Sequence, residues 1–311
     1  MFAFLLDFFD GIYPQIMLMP SFKGKEFLRR LLLFAIYHLN NILCWYYHNV
    51  RKKKISSPED CDYVVSLTTY PARIPNLWRV IEMAANQKGL KDKYAICLYL
   101  IDSEFAGIEL PKEIKELQSR GLTVKFNKEN LKCHNKYFYA FTDYPEKTII
   151  TIDDDLQYNH HTITALIKAN KKNPKCIAYN RGNRIISNAP YNSWPFVTDA
   201  TEPCIDIFPT GVGGVLYPPH CCSKFVTNID VIKATCLRAD DLWLNFNSRI
   251  KKTKVVQTKL RSTYMVLPDT NQQFALWATN NDEVLVGNDV QIAKITEWAK
   301  KELDCSYFVN L

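Results

Sequence analysis

From residue 63 onward the apolar positions fall into two alternating patterns. Short, nearly unbroken runs rich in Val, Ile and Leu occupy 63–69, 94–101, 122–126 and 148–152. Runs of that length and composition suit strands covered on both faces. Between them the spacing changes. Leu77, Val80, Ile81 and Ala84 recur at helical intervals, which predicts a helix over 76–87. Pro111 opens a second helix, in the first-turn position proline favours, and Gly121 closes it after Gln118. A third helix is expected across 137–141. Strands alternating with helices predict an α/β fold, a mostly parallel sheet flanked by helices, with ligands beyond the C-terminal strand ends. No internal repeat, low-complexity tract or Gly-rich phosphate loop interrupts the pattern.

Residues 1–54 differ. The stretch 31–47 is apolar but broken by His38, Asn40 and Asn41. It falls short of the roughly 20 uninterrupted apolar residues of a bilayer span. The first nine residues have no basic start, carry Asp7 and lack a small-residue cleavage site, so a signal peptide is not expected. Eight Lys or Arg stand here against three acids, a +5 share of the chain's +7. An interfacial amphipathic helix ending in Arg51, Lys52, Lys53 and Lys54 fits, with peripheral contact to an anionic membrane. The plainer alternative is a helix pair packed on the body. Residues 55–58 read as a short linker.

Composition narrows the class. The chain has 311 residues, 47% hydrophobic and 13% aromatic, enough for a full core and against disorder. Its ten cysteines include no CxxC pair, so free thiols in a reducing cytosol are expected rather than a disulfide framework. The basic charge comes with no nucleic-acid recognition motif, and no nucleic-acid partner is expected.

Chemistry concentrates where the fourth apolar run ends in Asp153, Asp154 and Asp155. Three adjacent acids repel one another unless a cation sits among them. Mg²⁺ or Mn²⁺ holding a phosphate answers that, since such ions bind through one or two carboxylates plus substrate phosphates. Asp153 and Asp155, two residues apart, would lie near one side of an extended chain. The alternative is an acidic turn or helix cap. Asp240 and Asp241 open another helical stretch, where one acid would suffice as a cap. His134, His160, His161 and His220 are not expected to bind metal. His160 and His161 should lie on the helix after the acids, facing different ways, in solvated or capping roles.

Several segments together resemble one family. Residues 66–73, with Thr69, Tyr70 and Arg73, resemble the nucleotide-binding start of GT-A glycosyltransferases. The stretch from Asn135 and Lys136 to Phe138 resembles an Asn-Asn-Arg-Phe-like segment of the exostosin-like transferases, with Lys136 in place of the usual Arg. Asp153 and Asp155 look like their Asp-x-Asp metal motif. Residues 211–219 resemble a Gly-rich acceptor-side strand, and 239–246 a late acidic helix start. Asn281 and Asn288-Asp289 match a tail pattern of bacterial capsule and lipopolysaccharide transferases.

The resemblance implies a GT-A fold with a helical, membrane-associating extension over 1–57 and a catalytic domain over 58–311. Residues 58–158 would form its nucleotide-binding half and 159–311 its acceptor-binding half. It implies a nucleotide-sugar donor, a UDP-sugar, and a glycan or lipid-linked saccharide acceptor in surface polysaccharide synthesis on the inner face of the cell membrane. Donor contacts would come from Thr69, Tyr70, Arg73, Asn135, Lys136, Asp153 and Asp154. Asp155 and Asp153 would hold Mn²⁺ or Mg²⁺, Gly213 and Gly214 would face the acceptor, and Asp241 and Asp240 would be catalytic. A metal-dependent nucleotidyl- or phosphotransferase, or a non-enzymatic membrane- or glycan-binding protein, are the competing readings.

Overall fold

The computed structural model describes residues 2–260, 265–266 and 287–309. Asn281 lies outside them. The chain opens with a helical hairpin, α1 (Phe2–Leu18) and α2 (Lys25–Tyr46), extended by a π-helical turn, Tyr47–Arg51. The body follows in alternating order: β1 (Tyr63–Thr68), α3 (Ile74–Ala85), β2 (Tyr94–Ile101), α4 (Asp102–Phe105), α5 (Lys112–Ser119), β3 (Thr123–Asn127), α6 (Asn135–Asp143) and β4 (Thr148–Thr151). Next come β5 (Leu156–Gln157), α7 (Thr162–Lys172), β6 (Ile177–Tyr179), β7 (Gly182–Arg184), β8 (Phe196–Val197), β9 (Ile207–Pro209) and β10 (Val215–Tyr217). The described chain then forms α8 (Ile229–Thr235), α9 (Asp240–Ile250), β11 (Val255–Gln257), β12 (Met265–Val266) and α10 (Asn288–Leu303).

The main sheet runs β11-β6-β10-β4-β1-β2-β3. All its pairings are parallel except those of β10, which lies antiparallel between β4 and β6. The α/β expectation, with helices on a mostly parallel sheet and an N-terminal helical extension, therefore holds. All eight residues of β2 are buried, which accounts for its unbroken apolar run. The helix bounds shift by a residue or two. α3 begins at Ile74 with Pro75 in its first turn, and Pro111 sits just before α5 rather than inside it. Gly121 has φ +109°, and a side chain there would run into the Ile55 carbonyl, so only glycine fits. Ile55 itself is buried, with its N–H on Arg120 O at 2.8 Å.

The hairpin is packed on the body. Leu6, Ile36, Leu43, Cys44 and Tyr47 bury against Met83 of α3. Its outer face is different: Phe4 and Phe27 are each 73% exposed, Phe34 62% and Trp45 58%. Among the described residues, no helix is long and apolar enough to cross a membrane. Residues 182–209, without a clear pattern in the sequence, carry a small antiparallel sheet, β8-β7-β9. The ten cysteines are free thiols.

Candidate active site

β1 and β4 are neighbours, with Ser66 opposite Thr151 and the Ile152 N–H donating to Ser66 O at 3.1 Å. Their C-terminal ends thus deliver residues 69–73 and 153–155 to one place. β4 stops at Thr151 and the acids follow in a bend. The acids thus lie beyond the extended strand, and Asp153 and Asp155 each meet a different cation.

Asp154 is the buried member. It accepts from Thr69 Oγ1 at 2.6 Å and from Arg73 Nη1 at 2.7 Å. Arg73 reaches Asp155 as well, Nη2 to Oδ2 at 3.2 Å, and lies 5.2 Å over the Tyr70 ring. Burial alone would depress the Arg73 guanidinium, but Asp154 and Asp155 raise it. Arg73 Nε and the Tyr70 hydroxyl are buried without a hydrogen-bond partner among the described residues. Asp155 is pushed up to about 6, first by burial and then by Asp153, with Arg73 opposing.

On the other side stands Lys136, in the first turn of α6. Its Nζ lies 2.6 Å from Asp153 Oδ1 and 3.1 Å from Asp240 Oδ2. Burial would strip its proton, yet these two carboxylates hold the ammonium well above its usual range. Lys136 therefore joins the strand tip to the start of α9. Asp241, beside it, has its Oδ1 2.9 Å from the Leu242 N–H. Burial and the neighbouring Asp240 push its carboxyl up to about 7, against the pull of Lys136.

The remaining expected residues fall in two groups. Asn135 accepts the Leu131 N–H at 2.9 Å and so shapes the turn that presents Lys136. A side chain at Gly213 would crowd Arg181, and Gly214 has φ +78°, so both positions need glycine for backbone packing. Gly211 stands closest to the charges: a β-carbon there would lie 3.6 Å from Lys136 Nζ. Tyr158 escaped the sequence reading. Its hydroxyl accepts the Asp153 N–H at 2.8 Å and so fixes where that acid points. A buried tyrosine just after a two-residue strand carries no sequence signal of that role.

The histidines scatter. His134 is buried between Tyr137 Oη (3.0 Å) and Cys236 O (2.6 Å), and His220 meets Glu146 at the surface. His160 and His161 depart from expectation. They precede α7 rather than lie on it, so helical geometry does not separate them, and both rings reach Asp7.

Asp153 and Asp155 suit a hard divalent ion. They offer only carboxylate oxygen, they remain 25% and 17% exposed, and their mutual repulsion is what a cation relieves.

No protein-family model matches this chain, and no curated protein does. Solved structures with a related course of chain include S. aureus TarS 1-349 (TM-score 0.45, 11% identity, 65% of this chain and 59% of that one). The same protein in complex with UDP aligns at TM-score 0.46 and 10% identity, over 78% of this chain and 72% of that one. The mannosyltransferase PcManGT from Pyrobaculum calidifontis, in complex with GDP-Man and Mn²⁺, aligns at 0.33 and 14%, over 48% and 45%. Likenesses so distant leave donor, acceptor and activity to the chemistry of the site.

Proposed function

We propose that this chain is a GT-A-type glycosyltransferase that moves a sugar from a nucleotide-sugar, a UDP-sugar, to a glycan or lipid-linked saccharide in surface polysaccharide synthesis. One observation carries the reading. Two partly exposed carboxylates at the tip of a central strand stand between two buried cations, with a second acidic pair held across from them by Lys136. A leaving nucleoside diphosphate needs its negative charge neutralised, and an acceptor hydroxyl needs a base; this cluster supplies both.

Asp153 and Asp155 would hold Mn²⁺ or Mg²⁺, which supplies electrophilic stabilisation of the diphosphate when bound. Arg73 and Lys136 offset part of the negative charge of the clustered acids and hold them in place. Arg73 Nε is the donor left for the nucleotide, with Tyr70 as the flat surface beside it. Asp241 is the base. Its carboxyl, raised to about 7 by burial and by Asp240, would accept the proton of the acceptor hydroxyl. Direct displacement with such a base inverts the anomeric centre, so a product of retained configuration, seen by NMR, would reject this role for Asp241.

The exposed Phe4, Phe27, Phe34 and Trp45 with the basic end of the hairpin support peripheral contact with an anionic membrane, on its cytoplasmic face. Flotation with anionic vesicles tests that arm separately.

The central test is thermal stability against a panel of nucleoside diphosphates and sugar nucleotides, with and without Mn²⁺. A ligand at 100 times its Kd adds roughly 2.7 kcal/mol. Metal-dependent stabilisation by UDP-sugars is the expected result. No shift with any nucleotide would sink the proposal.

A further inference from the structure

A second set of converging donors lies on the seam between the hairpin and the body. Asp7 comes from α1, and His160 and His161 from the turn before α7. One carboxylate oxygen and two imidazole nitrogens, brought from more than 150 residues apart, all lie within 4.8 Å of one another. Both imidazoles direct Nε2 at the same atom, Asp7 Oδ1, and the His161 ring is 3.2 Å from it. Lys88 occupies the other oxygen, its Nζ 2.8 Å from Asp7 Oδ2, which fixes the carboxylate with Oδ1 turned to the rings. An outer partner of that kind is how ligating carboxylates are usually oriented.

The protonation states suit ligation. Burial holds His160 near 4, so its imidazole is neutral at physiological pH. Burial works against the charge on Asp7, but Lys88 and His160 keep it below the ordinary carboxylate range, hence ionised. His160 Nδ1 has no partner among the described residues, so hydrogen bonding alone leaves this ring half satisfied. His160 is fully buried while the His161 side chain is 39% exposed, so the cluster is closed on one side and open to water on the other.

We propose that Asp7, His160 and His161 form a binding site for a borderline divalent ion of the Zn²⁺ class, which pins the N-terminal hairpin to the body. Two nitrogens and one oxygen with a side open to water match the donor set of a three-ligand zinc site. The oxygen-only acids at 153 and 155 select differently: imidazole favours Zn²⁺, whereas carboxylates alone favour Mg²⁺ or Mn²⁺. The seam site lies in the segment that leaves Asp155 through β5, so an ion there would also steady that segment. Nothing in the proposal depends on the transferase reading.

The experiment uses the full chain carrying Asp153→Ala and Asp155→Ala, so that the strand-tip acids cannot contribute. Zn²⁺ is titrated by calorimetry, and Co²⁺ by visible absorption. The expected result is one equivalent of Zn²⁺, a tetrahedral Co²⁺ spectrum without a thiolate charge-transfer band, and a higher Tm with Zn²⁺ than with Mg²⁺. His161→Ala removes a partly exposed ring and should weaken Zn²⁺ binding at least about tenfold while keeping the metal-free Tm. Asp7→Asn checks the third ligand with little change in shape. The proposal is overturned if both variants bind Zn²⁺ as the parent does, if the Co²⁺ spectrum shows thiolate ligation, or if Zn²⁺ leaves the Tm unchanged and Asp7, His160 and His161 serve only as a hydrogen-bonded seam. UDP-sugar binding by His161→Ala in an otherwise native chain reports separately on the transferase reading.

Discussion

Two carboxylate clusters in this molecule contrast sharply. Glu82 of α3 has no exposure at all, and His48 Nδ1 (2.9 Å), Arg120 and Asn86 Nδ2 (3.3 Å) surround it. Its partners come from the π-helical turn after α2, the end of α5 and its own helix, so it ties three elements together. Asp153 and Asp155 also have cationic partners, yet each keeps a quarter or less of its side chain open to solvent and stands beside another acid. Both oxygens of the Glu82 carboxylate have partners within the protein, whereas solvent still reaches the two strand-tip acids. A saturated carboxylate holds elements together; an under-satisfied pair at a strand tip is poised to take a further cation.

That contrast can be broken at either end. Asp155→Ala should cost at least about 10³-fold in transfer rate, because it removes charge stabilisation at the leaving diphosphate. Its Tm should stay near that of the parent, which circular dichroism checks. Glu82→Ala should do the reverse. Leaving Arg120 facing an empty buried site is expected to cost about 3–5 kcal/mol of stability, measured by urea unfolding. Sugar-nucleotide binding by the surviving folded fraction should be intact. Were Asp155→Ala the less stable of the two, the division between structural and functional acids would be lost.

Asp241→Asn should reduce turnover by about 10²-fold or more, with donor affinity retained. The native rate should climb as pH passes through about 7, where the Asp241 carboxyl loses its proton, and the variant should show no such limb. Stability moves the other way. A carboxyl raised from 3.8 to about 7 binds its proton more tightly in the folded state than in the unfolded one. Its contribution is full below the unfolded value and lost as pH rises through 7, a decline that Asp241→Asn removes. The smallest expected effect is that of Tyr158→Phe. Losing the hydroxyl that accepts the Asp153 N–H should cost about 1 kcal/mol of stability and loosen metal binding rather than abolish it, which a Mn²⁺ titration measures.

Much of this was legible in the chain. The apolar runs that become β1, β2 and β4 are local patterns, dictated by burial on both faces, and the helical spacing of Leu77, Val80, Ile81 and Ala84 is equally local. The strands β6, β7, β9, β10 and β11 each span three residues, too short to write a period. Of the site residues, Thr69, Arg73 and Asp154 were named from their strand ends, and the structure brings all three into contact. Their division of labour was not legible: Asp154 spends both oxygens on Thr69 and Arg73, whereas Asp153 meets Lys136 through Oδ1 and Asp155 meets Arg73 through Oδ2.

Sequence alone determined the alternation of strand and helix, the parallel sense of most of the sheet, the place where acids would gather, and the basic, aromatic character of the first fifty residues. Tertiary structure decided which acid meets which cation. Lys136 lies between Asp153 and Asp240, the latter over a hundred residues further along the chain, and Asp7 reaches His160 and His161 across half its length. Periodicity reports only which side of its own element a residue occupies. Where two elements meet is set by packing and by the cost of burying unpaired charge, and no local pattern records that.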